Sequence, residues 1–104
     1  MTSAAVEPPV QVAARPRLVF FCSPSSGRCR RVEAFLAQVL QHRGNHNTFV
    51  LHRVEVEERP DLCRRFQVTT VPTLVVVEDK RVRSRLELPS GAVQITKFLR
   101  PWLR

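Results

Sequence analysis

The sequence predicts an α/β protein of order β-α-β-α-β-β-α, with a mixed four-stranded central sheet and helices on both faces. Three observations carry this. Residues 18–22 and 73–77 are short, continuous apolar runs, the pattern of strands buried on both faces. Between them, apolar residues recur at helical spacing. After them, a turn leads into a strictly alternating strand, which reads as a hairpin.

Each element can be taken in order. Residues 1–16 contain Pro8, Pro9 and Pro16, which block a helix, so a flexible or extended arm is expected ahead of a domain at 17–104. The first strand, Leu18-Val19-Phe20-Phe21-Cys22, ends in the turn cluster Ser23-Pro24-Ser25-Ser26-Gly27. Cys29, Val32, Phe35, Leu36, Val39 and Leu40 then form one helical face, with Ser26 as the expected N-cap and Gly44 as the residue that ends the helix. A loop is expected at 45–47 and a second strand at 48–56. The parallel pairing of the first two strands through a helix implies a right-handed crossover. Pro60 and Asp61 open a short helix whose inner residues are Leu62, Cys63 and Phe66. After the third strand, Glu78-Asp79-Lys80 makes a turn. Residues 81–88 then alternate, with Val82, Ser84, Leu86 and Leu88 on one face. Ser90 is the expected cap of a last helix, whose face is Ile95, Phe98, Leu99 and Trp102, with Pro101 bending or ending it.

The bulk composition bounds the function. A chain of 104 residues, 43% hydrophobic and 25% charged, is expected to fold as one domain. No apolar run approaches the ~18 residues of a membrane span, and no signal peptide is expected. Three cysteines, an odd number, argue against a secreted disulfide framework and for a reduced, cytoplasmic setting. The net charge of +8 comes from scattered arginines, with no block of five and no aromatics interleaved as stacking platforms. A solvated basic surface is the expectation, and nucleic acid is not the expected partner. Cys22, Cys29 and Cys63 lack zinc-site spacing, and His42, His46 and His52 do not complete one. An iron–sulfur cluster usually takes four cysteines, and no Gly-rich phosphate loop is present, so no metal or cofactor is expected.

The order of elements, together with "FFCSPSSGRCRRVEAFL", "VEVEERPDLCRRFQV" and "TTVPTLVVVEDKRV", resembles thioredoxin over roughly residues 17–100. The resemblance implies that Ser26-Gly27-Arg28-Cys29 stands where that family has Cys-Gly-Pro-Cys. Val71-Pro72-Thr73 matches its Ile-Pro-Thr with a cis proline, and Glu57-Glu58-Arg59-Pro60 matches its entry to the next helix. The departures are specific. Ser26 replaces the nucleophilic cysteine, Phe20 falls at the family's buried Asp, Ser25 and Cys22 fall at its tryptophans, and the N-terminal part is shortened.

These residues delimit the chemistry. A dithiol enzyme attacks with an exposed thiolate and resolves the mixed disulfide with a second cysteine. A serine hydroxyl ionises too weakly for the first step, so the ordinary cycle is expected to be blocked. Cys29 matches the resolving position, on the inner helical face. Burial disfavours a thiolate there, while the helix N-terminus and the flanking Arg28 and Arg30 favour it. Two outcomes stay open: a single reactive thiol that forms mixed disulfides or a sulfenic acid, or an inert core residue. Cys22 is a candidate redox partner for Cys29, provided their Cα atoms lie within about 7 Å. Cys63 is expected in the core.

Two functions follow as expectations. The first is a thioredoxin-like protein of cellular thiol redox homeostasis, with Cys29, Ser26 and Pro72 as the site and, if active, a monothiol oxidoreductase. The second is a non-catalytic module that binds a protein partner through Ser26, Gly27, Arg28, Val71, Pro72 and Thr73. A third, binding of an anionic partner through the arginine surface, would show itself as salt-dependent association. The oligomeric state is not legible.

Overall fold

A computed structural model describes residues 15–104. The arm expected at 1–16 lies outside the described residues, apart from its last two. Those two are tied to the body. Arg15 Nη1 donates to the Asn47 carbonyl at 3.0 Å, and the Pro16 carbonyl accepts from Val50 N–H at 2.9 Å.

Strand β1 (Arg17–Cys22) is buried at every position after Arg17. It pairs in parallel with β2 (Val50–Glu55) and antiparallel with β3 (Thr73–Glu78), which pairs in turn with β4 (Arg81–Glu87). The sheet order is β2-β1-β3-β4. Alternation along β1 builds two cores. Leu18, Phe20 and Cys22 face α1 (Gly27–Gln41) and α3 (Ala92–Leu99), together with Leu74 and Val76 of β3. Val19, Phe21 and Val75 face the short α2 (Pro60–Arg65) with Leu62, Cys63 and Phe66 packed against them. The rings of Phe21 and Phe66 lie 5.6 Å apart, tilted by 59°. On the other face, Phe49 meets Trp102 edge-on at 6.2 Å.

Four local features depart from the sequence expectations or go beyond them. First, residues 42–47 form a 3₁₀ segment and not a loop, with Arg43 (φ 55°) and Gly44 (φ 67°) both left-handed inside it. Thr48 keeps helical dihedrals, which delays β2 to Val50. Second, α2 ends in a Schellman arrangement. Gln67 N–H reaches Arg64 O, Val68 N–H reaches Cys63 O, and Gln67 takes the left-handed position (φ 55°) that glycine usually fills. Third, Ser90 does not cap α3. Gly91 is the N-cap, and Ser90 gives its N–H and hydroxyl to Gln94 Oε1. Fourth, the register slips at Val76/Val77, so that Val76 faces Ser84 but Val77 faces Val82. This bulge at Arg83 breaks the alternation, moving Val82 off the face of Ser84 and Leu86 and leaving it half exposed.

Asn45 joins the end of the α1 region to the end of the chain. It is 2% exposed. Its Nδ2 donates to His42 O at 2.7 Å, and its Oδ1 accepts from Thr48 Oγ1 and from Arg104 N–H, each at 2.9 Å. Asn45→Ala removes these bonds and leaves buried groups unpaired. The expected loss is about 2 kcal/mol, read from urea unfolding with an unchanged m-value. A loss below about 0.5 kcal/mol would show that this junction carries no stability.

Candidate functional site

The site is built where β1 ends and α1 begins. Ser26 has extended dihedrals (φ −93°, ψ 119°), and its Oγ accepts from Cys29 N–H at 3.1 Å, as an N-cap does. Ser26 N–H in turn donates to Ser23 O at 3.1 Å. Ser23 N–H donates to Cys29 Sγ at 3.3 Å. The sulfur is therefore held between the strand end and the first helical turn. Cys29 as a residue is 2% exposed.

Cys22 and Cys29 are both free thiols in the core cluster that also contains Phe20 and Val32. Burial pushes the Cys22 thiol above its ordinary value, and the opposing pull of the Arg53 guanidinium is smaller. Phe20, 2% exposed, places a ring and no acid on this face of β1. Cys63 is half-buried against the α2 face, away from the other two thiols. Among the described residues no three His, Cys, Asp or Glu side chains group as metal ligands.

The sheet register brings the second half of the site to the same end. Phe21 pairs with Thr73, so Val71 and Pro72 lie level with Cys22 and the turn after it. The Val71–Pro72 bond is cis. Pro72 is buried, and its carbonyl accepts from Leu88 N–H at 2.9 Å. Val71 is half-buried, and its own N–H and carbonyl make no hydrogen bond among the described residues. Thr73 is fully buried, with Oγ1 donating to Thr70 O at 2.8 Å, so it braces the segment from inside.

Gly27 and Arg28 are exposed at the helix start. A Cβ on Gly27 would meet only Arg30 at 3.8 Å, so space does not require glycine there. The first turn of α1 holds no acid, although an acid is what the helix dipole favours. Arg28 and Arg31 instead flank a groove of about 270 Å³ over Phe35, Leu88 and Pro89.

Comparison with known proteins now decides the family. The thioredoxin family model matches residues 1–101. The chain belongs to the thioredoxin family. It is 28% identical over 87 residues to the thioredoxin of Mycolicibacterium smegmatis, covering 84% of this chain and 78% of that one. It is 26% identical over 99 residues to the thioredoxin of Mycobacterium bovis, covering 95% and 84%. Among solved structures it superposes on the germline-specific thioredoxin Deadhead of Drosophila melanogaster with a TM-score of 0.73, at 18% identity and 88% and 84% coverage. The Fasciola hepatica thioredoxin gives 0.73 at 17% identity, with 86% and 82% coverage. These structural likenesses show the thioredoxin fold. No helix among the described residues is long and apolar enough to cross a membrane.

Two participants escaped sequence reasoning. Ser23 contributes both its N–H to Cys29 Sγ and its hydroxyl to Glu57 Oε2 at 2.7 Å, with Ser25 Oγ 3.1 Å away. The turn cluster signalled Ser23 as a loop residue. The resemblance marked Glu57 only as part of the entry to α2, and nothing local signalled its bond to Ser23, 34 positions away.

Ser26→Ala keeps the fold and loses the cap, for an expected cost of about 1 kcal/mol in chemical unfolding. An unchanged midpoint would show that the Oγ does not hold α1. The raised Cys22 thiol sets a pH dependence. The unfolded chain releases this proton near pH 8.5 and the folded chain only at higher pH. The stability is therefore full below that value and is lost as pH rises through the folded one. Cys22→Ala should flatten the alkaline limb of the stability–pH curve. An identical limb in both proteins would assign it to other groups.

Proposed function

We propose that this protein acts in thiol redox homeostasis without the two-thiol cycle of its family, its chemistry confined to the single thiol of Cys29. One observation carries the reading. Cys29 Sγ sits at the start of α1 with the Ser23 N–H directed onto it, while the residue three positions earlier is Ser26, which offers a hydroxyl already engaged as the cap. The step open to such a site is exchange. The Cys29 thiolate attacks a disulfide such as oxidised glutathione, forms a mixed disulfide, and releases one thiolate. No second cysteine stands at the entrance to resolve it, so a second, external thiol must do so. Under this reading Arg28, with Gly27, frames the entrance, and the unpaired Val71 amide and carbonyl beside Pro72 offer an extended partner segment two main-chain hydrogen bonds.

A second reading is favoured by the burial of Cys29. The thiol of a cysteine this buried does not meet a disulfide unless the Ser23–Ser26 turn opens. If that turn stays closed, the surface of Ser26, Arg28 and Val71, with the buried Pro72 and Thr73 supporting it from inside, is a docking face for a protein partner and the thiol is structural.

Thiol labelling separates the two. Single-thiol chemistry requires that iodoacetamide, or a mixed disulfide with glutathione, modify Cys29 in the folded protein at neutral pH. Labelling only after denaturation leaves the docking reading. The role of Ser26 is tested by Ser26→Cys, which restores the dithiol. This variant should reduce insulin disulfides at least tenfold faster than the parent. Parent activity equal to that of the variant would overturn the claim that Ser26 blocks the cycle.

A further inference from the structure

The far end of β1 carries a feature that the thiol site does not use. Across the molecule Arg53, Arg59, Arg83 and Arg85 each meet a carboxylate at 3.0–3.3 Å. The other cations meet none among the described residues, and four of them, Arg15, Arg17, Arg65 and Lys80, come together in one place. These four line one cleft of about 600 Å³, with Phe66 and Val77 as its apolar part and Asp79 as its single acid. Arg65 and Lys80 make no side-chain hydrogen bond or ion pair there. Arg15 and Arg17 lie against the Asn47 carbonyl and His52 Nε2, not against a carboxylate.

The position of Lys80 is costly. Asp79 and Lys80 are the two central residues of the β3–β4 hairpin, and both have positive φ, 55° and 65°. Such turns favour asparagine and glycine. A lysine gains nothing locally from that conformation, yet it sets an ammonium at the rim of the cleft. Arg17, at the start of β1, lies about 16 Å along the strand from Cys22, so the cleft and the thiol site are separate.

We propose that this cleft binds a nucleotide-sized phosphorylated ligand. Its phosphates are held by Arg15, Arg17, Arg65 and Lys80, and its base or other flat apolar part rests on Phe66 and Val77. Guanidinium forks match phosphate oxygens in pairs, and several of them around one pocket suit a di- or triphosphate. The volume is that of a small-molecule site. A single-stranded nucleic acid asks for something different, a groove in which cations and stacking rings recur along the backbone. Here one aromatic residue and four cations line one cleft.

Isothermal titration of the full chain with ADP, ATP, inorganic phosphate and a single-stranded RNA dodecamer, at low salt, tests the proposal. ADP and ATP should bind, with inorganic phosphate at least tenfold weaker because it does not reach Phe66. The double variant Arg65→Ala/Lys80→Gly should lose at least tenfold in ADP affinity. Its Tm should not fall, because glycine relaxes the left-handed turn position. The charge-matched control Lys97→Ala/Arg100→Ala should bind ADP as the parent does. The proposal is overturned if neither nucleotide binds below 5 mM, if phosphate binds as tightly as ADP, or if the control loses as much affinity as the cleft variant. It is also overturned if the RNA binds and the free nucleotides do not.

Discussion

The structure depends on burying β1. Five of its six residues are closed to solvent, and they point alternately to opposite faces. A strand with that pattern is stable only if both faces and both edges are covered. Its edges are taken by β2 and β3, and its faces by α1 with α3 on one side and α2 on the other. Fully burying an apolar side chain of this size contributes about 1.5–3 kcal/mol. Leu18, Val19, Phe20 and Phe21 therefore outweigh any surface ion pair in the molecule. The parallel pairing of β1 with β2 demands a crossover, and the crossover is α1. The chain must then leave β1 and enter α1 within the Ser23–Ser26 turn. Cys29 falls beneath that turn because the first inward-facing residue of the crossover helix has nowhere else to go.

Ser26 and Phe20 make sense together on this frame. The turn has a mechanical task, to satisfy the first free N–H groups of α1, and a hydroxyl does that well. A thiol–disulfide cycle would add a chemical task at the same residue, one that serine does not perform on the proposed reading. Phe20 serves packing in the same core cluster. An acid there would need desolvation next to Cys22 and Cys29, whereas a ring packs with them at no electrostatic cost. Both residues serve packing at this corner, where Cys29 is well covered and burial pushes the Cys22 thiol up.

The elements that were legible in the sequence are those set by local periodicity. The α1 face from Cys29 to Leu40, the Ser26 cap and the Pro60 start of α2 all follow from spacing and capping chemistry. What could not be read is set by partners far along the chain or by backbone states without a residue signature. Gln67 adopts a left-handed conformation because Phe66 and Val68 must both turn inward, not because glutamine favours it. The bulge at Arg83 depends on where β3 lies, so strict alternation gave the wrong face for Val82. Ser90 carried the right chemistry for a cap but finds Gln94 instead. The helical phase of Cys29 was plain, whereas the Ser23 N–H on its sulfur was not. The same limit applies to charge. Arg15, Arg17, Arg65 and Lys80 look scattered in sequence, and only the return of β3 to β1 gathers them beside Phe66.

The two ends of β1 are alike in charge and independent in action. Arg28, Arg30 and Arg31 crowd the positive end of the α1 dipole, a placement that costs up to several tenths of a kcal/mol each. The cations of the far cleft likewise go without carboxylates. Exposed charges interact over about 8 Å at physiological ionic strength. The strand between the two clusters spans about twice that. An anion bound at one end is therefore screened from the other. β1, closed on both faces and both edges, is the strand that joins the two ends. With screening between them, the proposed chemistry at the thiol and the proposed recognition at the cleft are expected to change one without the other.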